Sequence, residues 1–126
     1  MLVFKINDIL VKFVNVICFT YIFQTDDGRK PMLGFMEKPS RKLYPDYYEI
    51  ISEPIDFLEI ENKIRGEQYK SEADLVNDFK LMFLNCRHFN EENSSIYDDA
   101  NLLEKVMMEK IGQTMPTPER KTYTRV

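Results

Sequence analysis

Apolar residues recur at helical spacing through the second half of the chain. Leu75, Phe79, Met82, Phe83 and Cys86 fall on one face of a helix, given about 3.6 residues per turn. Ser71-Glu72-Ala73-Asp74 resembles a capping box and predicts where that helix starts. The pattern carries it to Phe89. A second stripe, Ile96, Ala100, Leu103, Met107 and Ile111, predicts a last helix that Gly112 ends. Upstream, Asp56 reads as an N-cap, with Phe57, Ile60 and Ile64 on one face and Gly66 as the stop.

The first half is patterned differently. Pro31, Pro39, Pro45 and Pro54 are spread through the stretch before Asp56, so no long helix can form there. The stretch carries Phe35, Leu43, Tyr44, Tyr47, Tyr48, Ile50 and Ile51, side chains expected to be buried or to line a site. It therefore reads as a long structured loop, with room for a short helix from Asp46 to Ser52. Loops of this length in a small domain tend to be functional. Thr25-Asp26-Asp27-Gly28-Arg29 is a turn signal that separates this loop from an apolar N-terminal segment.

That segment, Ile9 to Phe23, is interrupted by Lys12 and Asn15. It falls short of the ~20 apolar residues of a membrane span. It reads as a first helix between Asn7 and Phe23, packed through Leu10, Phe13, Ile17 and Tyr21. Its β-branched content (Val11, Val14, Val16, Ile17, Thr20, Ile22) keeps a strand or a membrane-directed segment open. The resulting organisation is 1–24 as a candidate first helix, 25–112 as the core, and 113–126 as a polar, mobile tail. The fold class is an all-α bundle.

With 126 residues, the chain suits one compact domain. A net charge of −4 argues against strong nucleic-acid binding and suits a basic partner. Cys18 and Cys86 both sit in apolar stretches and read as buried free thiols. No Cys/His spacing suggests a metal, and no glycine-rich loop suggests a phosphate or cofactor site. His88 lies two residues from Cys86, a spacing that does not bring two side chains together on a helix. Asp98 and Asp99, early in the last helix, suit its dipole better than catalysis. No catalytic constellation is found.

Asn90 then becomes the informative residue. It continues the Leu75–Cys86 stripe, where an apolar side chain is expected. A carboxamide there needs a hydrogen-bond partner. Either it ties down the following loop, or it points into a pocket built from the helix end and the long loop. A mostly apolar pocket with a few placed polar groups is the usual form of a selective binding site.

Leu43-Tyr44-Pro45-Asp46-Tyr47-Tyr48, with Ile50-Ile51 and Glu53-Pro54-Ile55-Asp56, resembles the loop of bromodomains. Asn85-Cys86-Arg87-His88-Phe89-Asn90, followed by Asn93 and Ile96, resembles the end of their second core helix, the next loop and the gatekeeper position. The resemblance spans Gly28 to Ile111. The stretch from Pro39 to Tyr48 looks most like the polybromo subunit of chromatin remodellers, or the related remodeller ATPases. It implies a left-handed four-helix bundle that reads acetylated lysine on histone tails, without catalysis or cofactor. Such a protein would be a nuclear module with other subunits of a chromatin complex as partners. By the resemblance, Asn90 donates to the acetyl carbonyl and Tyr47 holds the same oxygen through water. Phe35 and Ile96 form apolar walls, Cys86 and Phe89 complete the pocket, and Tyr44 covers the rim.

The chain departs from the family pattern at Gly34, where Pro is frequent, at Lys38, where an apolar residue is frequent, and at Phe89, where Tyr is usual. Gly34 is expected to loosen the shelf beside the pocket, and Lys38 to make one wall partly polar. The competing readings are a helical docking module with a degenerate pocket, and a protein tethered to a membrane by its N-terminal segment. An enzyme acting on acetyl-lysine fits least.

Overall fold

The computed structural model describes residues 16–20 and 22–112. Residues 16–20 and 22 are helical (α1), and a 3-10 helix follows at Pro31–Phe35. Then come α2 (Pro45–Ile50), α3 (Phe57–Arg65), α4 (Glu72–Phe89) and α5 (Ser95–Ile111). No strand occurs among the described residues. The fold is an all-α helical bundle, in which α4 packs on both α3 and α5, and the 3-10 helix packs on α5.

Local chemistry sets the boundaries. The Asp56 carboxylate accepts the Glu59 N–H at 2.8 Å, capping α3. Ser71 and Ser94 cap α4 and α5 by accepting from Asp74 and Tyr97. Gly112 ends α5 at φ 111°, the left-handed conformation that glycine adopts without a Cβ penalty. Pro45 stands in the first turn of α2, where its missing N–H costs nothing.

The core is the set of inward faces: Phe57 and Ile60 from α3, Leu75, Phe79 and Phe83 from α4, Leu103 and Met107 from α5, all fully buried. Val16, Ile17 and Thr20 bring α1 onto this core. Thr20 is buried without loss, because its hydroxyl donates back to the Val16 and Ile17 carbonyls. Ile17, expected on the packed face of a first helix, is buried on this core, while Leu10, Phe13, Tyr21 and the tail from 113 lie outside the described residues.

Two expectations of burial fail. Cys18 is exposed, because the inward side of α1 is taken by residues 16, 17 and 20. Leu43 and Ile50 are also exposed, at 73% and 47%. The short α2 turns Tyr47 and, just past its end, Ile51 inward, which leaves Ile50 outside. Leu43 sits in a turn held by its N–H to the Ser40 hydroxyl.

Candidate functional site

A cavity of about 330 Å³ opens where the loop between α1 and α3, the end of α4 and the start of α5 meet. Phe35, Tyr44, Tyr47, Cys86, Phe89, Asn90 and Ile96 all line it. Gly34, Lys38, Ile55, Asp56 and Met82 line it as well. Its walls are mostly apolar, and its polar groups arrive from separate elements.

Asn90 is the C-cap of α4. Its backbone N–H and one side-chain N–H both donate to the Cys86 carbonyl, at 3.0 and 2.9 Å. The carboxamide nitrogen has two hydrogens. Its other hydrogen-bond partner among the described residues is the Cys86 sulfur at 3.6 Å, a weak acceptor that a carbonyl oxygen from a ligand can replace. The two roles set against each other by the sequence are therefore compatible in one side chain.

Tyr47 is 6% exposed, its ring held edge-on by Phe89 at 4.9 Å and by Tyr48 at 5.2 Å. No described residue bonds to its hydroxyl, and no polar side-chain atom among the described residues is sealed away unpaired. The hydroxyl accordingly faces the cavity. Burial pushes its pKa from 10.0 to about 12, with the nearby acidic groups adding to the rise. It remains a neutral donor at cellular pH. Cys86 behaves alike: burial pushes its thiol from 9.0 to about 11, against a smaller downward pull from the Asn90 hydrogen bond. The cavity floor carries a neutral thiol. Tyr44 is 49% exposed and stands at the rim.

The loop that carries Tyr47 is held at several points. The Tyr48 hydroxyl donates to the Pro39 carbonyl at 2.6 Å, and the Arg41 guanidinium lies 4.0 Å from the Tyr48 ring. Buried Asn85 donates to the Glu53 carbonyl at 2.9 Å, tying the far end of the loop to α4. Asp56, which caps α3 with one oxygen, accepts the Lys38 backbone N–H at 2.9 Å with the other. The start of the loop is fixed by Arg29, which forks onto the buried Asp99 at 2.7 and 3.1 Å.

Several of these roles escape the sequence reading. Asp99 and Asn85 make contacts far along the chain, which periodicity cannot reveal. Their one visible signal is a polar residue at a buried helical position.

Lys38 does line the cavity, but its ammonium is turned to Glu59 at 3.0 Å and Asp56 at 3.5 Å. Burial pulls its pKa down and the two carboxylates more than offset this, so it stays charged and paired. Beside Gly34, the space that a Cβ would take is occupied by the Ile96 side chain. Among the described residues, no group of His, Cys, Asp and Glu is placed to hold a metal. No helix among them is long and apolar enough to cross a membrane.

Comparison with known proteins agrees with the all-α fold. The family model described as Bromodomain matches residues 22–102. The SWI/SNF chromatin-remodeling complex subunit snf22 of Schizosaccharomyces pombe is 45% identical over 91 residues, 72% of this chain and 5% of that protein. The transcription regulatory protein SNF2 of Saccharomyces cerevisiae is 38% identical over 106 residues, 84% of this chain and 6% of its own length. The histone acetyltransferase GCN5 of Yarrowia lipolytica is 42% identical over 79 residues, 63% of this chain and 17% of its own. The chain thus spans less than a fifth of any of these relatives.

Proposed function

The chain belongs to the bromodomain family, and on that premise we propose that it is a non-catalytic reader of acetylated lysine on histone tails. It serves as a nuclear module of a chromatin-remodelling or transcription-regulating protein. The names of the similar proteins, remodelling-complex subunits and an acetyltransferase, support that setting.

The observation that carries the reading is the pairing of Asn90 and Tyr47 in one apolar cavity. A carboxamide N–H and a free phenol hydroxyl suit a single acceptor oxygen, the acetyl carbonyl, held directly by Asn90 and through water by Tyr47. Acetylation also removes the lysine charge. An unpaired ammonium in an apolar slot costs several kcal/mol of desolvation. Of the carboxylates in the lining, Asp56 has both oxygens engaged, and Glu37 lies at the exposed rim. One hydrogen bond adds only about 0.5–1.5 kcal/mol net, so discrimination rests mainly on rejecting the charged form. Affinity for a single mark is then modest.

Calorimetric titration with acetylated and unmodified histone H3 and H4 peptides tests this. Selective binding of the acetylated forms is expected. Equal binding of both forms would favour a docking module whose rim, at Glu37, takes lysine without reading its acetylation.

A further inference from the structure

Gly34 lies in the 3-10 helix and contributes to the cavity wall beside Ile96. Its φ is outside the left-handed region, so the backbone does not demand glycine. The demand comes from a neighbour. A Cβ on residue 34 would stand 2.9 Å from the Ile96 Cδ1, closer than side chains approach. Ile96 thus leans into a notch that exists only because residue 34 has no side chain.

Filling the notch would displace Ile96, and its surroundings fix the direction. On the inner side it is packed against the buried cluster that includes Phe35 and Cys86. Its carbonyl lies 3.5 Å from the Cys86 sulfur, which holds its backbone in place. The open side is the cavity. The Cδ1 is the free end of a side chain, so it can swing into the cavity at little cost to the fold.

We propose that Gly34 is a specificity-determining residue: by seating Ile96 in its notch, it keeps the cavity wide enough for acyl groups longer than acetyl, such as butyryl-lysine. This rests on the acyl-lysine reading of the site. The extra methylenes gain by leaving water along the Phe35, Met82 and Ile96 surface, about fourfold in affinity per methylene where they fit. An Ile96 pushed inward removes that room. A pocket that mismatches by a methylene or two discriminates by about tenfold or more.

The test titrates one histone peptide, carrying unmodified, acetylated or butyrylated lysine, into wild type, Gly34→Ala, Ile96→Val and the double variant. Wild type is expected to bind the butyryl peptide at least as tightly as the acetyl peptide. Gly34→Ala should fold normally by thermal melt and lose butyryl binding about tenfold more than acetyl binding. Ile96→Val removes the colliding Cδ1, so the double variant should recover most of that loss, a coupling that a merely structural effect would not produce. Wild type that binds acetyl but not butyryl peptide overturns the inference alone. So does a Gly34→Ala variant with an unchanged butyryl-to-acetyl ratio, or a double variant that recovers nothing. Wild type that binds neither acyl peptide better than the unmodified one overturns the acyl-lysine reading together with it.

Discussion

Asn90 holds the Cys86 carbonyl twice, through its backbone N–H at 3.0 Å and its side-chain N–H at 2.9 Å. Cys86 is one turn back along α4, so this double contact closes the helix C-terminus and aims the carboxamide along the cavity wall. The remaining N–H sits near the Cys86 sulfur at 3.6 Å. A helix end thereby carries a fixed donor, and on the proposed reading the group that satisfies the last turn also presents the binding atom.

Tyr47→Phe should weaken binding of acetylated peptide with little change in melting temperature. The ring packing on Phe89 and Tyr48 is retained, and the lost hydroxyl has no bond to any described residue. Titration and thermal melts of both forms check this. A large fall in melting temperature with binding intact would make the hydroxyl structural.

Asp56→Ala should cost about 1–2 kcal/mol of stability through the lost cap of α3. It should also lower peptide affinity, because Asp56 anchors the backbone at Lys38, on the cavity wall. Asp56→Asn keeps one acceptor oxygen for the cap but loses the oxygen that accepts from Lys38, so it should recover the cap's share of the stability and not the peptide affinity. Urea unfolding of the three forms, alongside peptide titration, reads both effects. An Asp56→Ala protein with unchanged stability would contradict the dual role.

Stability should fall at alkaline pH. Burial raises Cys86 from 9.0 to about 11 and Tyr47 from 10.0 to about 12, and it raises Tyr69 as well. Between the unfolded and folded values the unfolded chain holds fewer protons. Stability then declines as pH rises through that window, and below pH 9 these groups add no slope. Urea melts at a series of pH values test this, and Tyr47→Phe should make the alkaline decline shallower. A stability that rises across the same window would contradict the buried placement of these groups.

Much of this was legible in the sequence, and what was not has a physical reason. Asp56, Ser71, Gly66 and Gly112 mark helix ends through local chemistry, and each stands at its helix terminus. The α4 and α5 stripes are periodic, so their inward faces could be read directly. Cys18 misled because an apolar stretch does not say which residues of a helix face inward. Leu43 and Ile50 misled because an irregular loop has no period to read. Arg29 with Asp99, and Asn85 with Glu53, join residues far apart in sequence, where spacing carries no signal. At the site, Phe35, Tyr44, Tyr47, Cys86, Phe89, Asn90 and Ile96, the residues the resemblance implies for the pocket, line one cavity, whereas the fit of Ile96 against Gly34 depends on a distance that only the fold supplies.

The most direct test of the central claim is calorimetric titration of acetylated histone peptide into Asn90→Ala beside the wild type, with thermal melts of both. The variant loses one capping hydrogen bond and should be destabilised by about 0.5–1.5 kcal/mol while remaining folded. It should lose most of its affinity for the acetylated peptide. A folded Asn90→Ala protein that binds the acetylated peptide as tightly as the wild type would contradict the account.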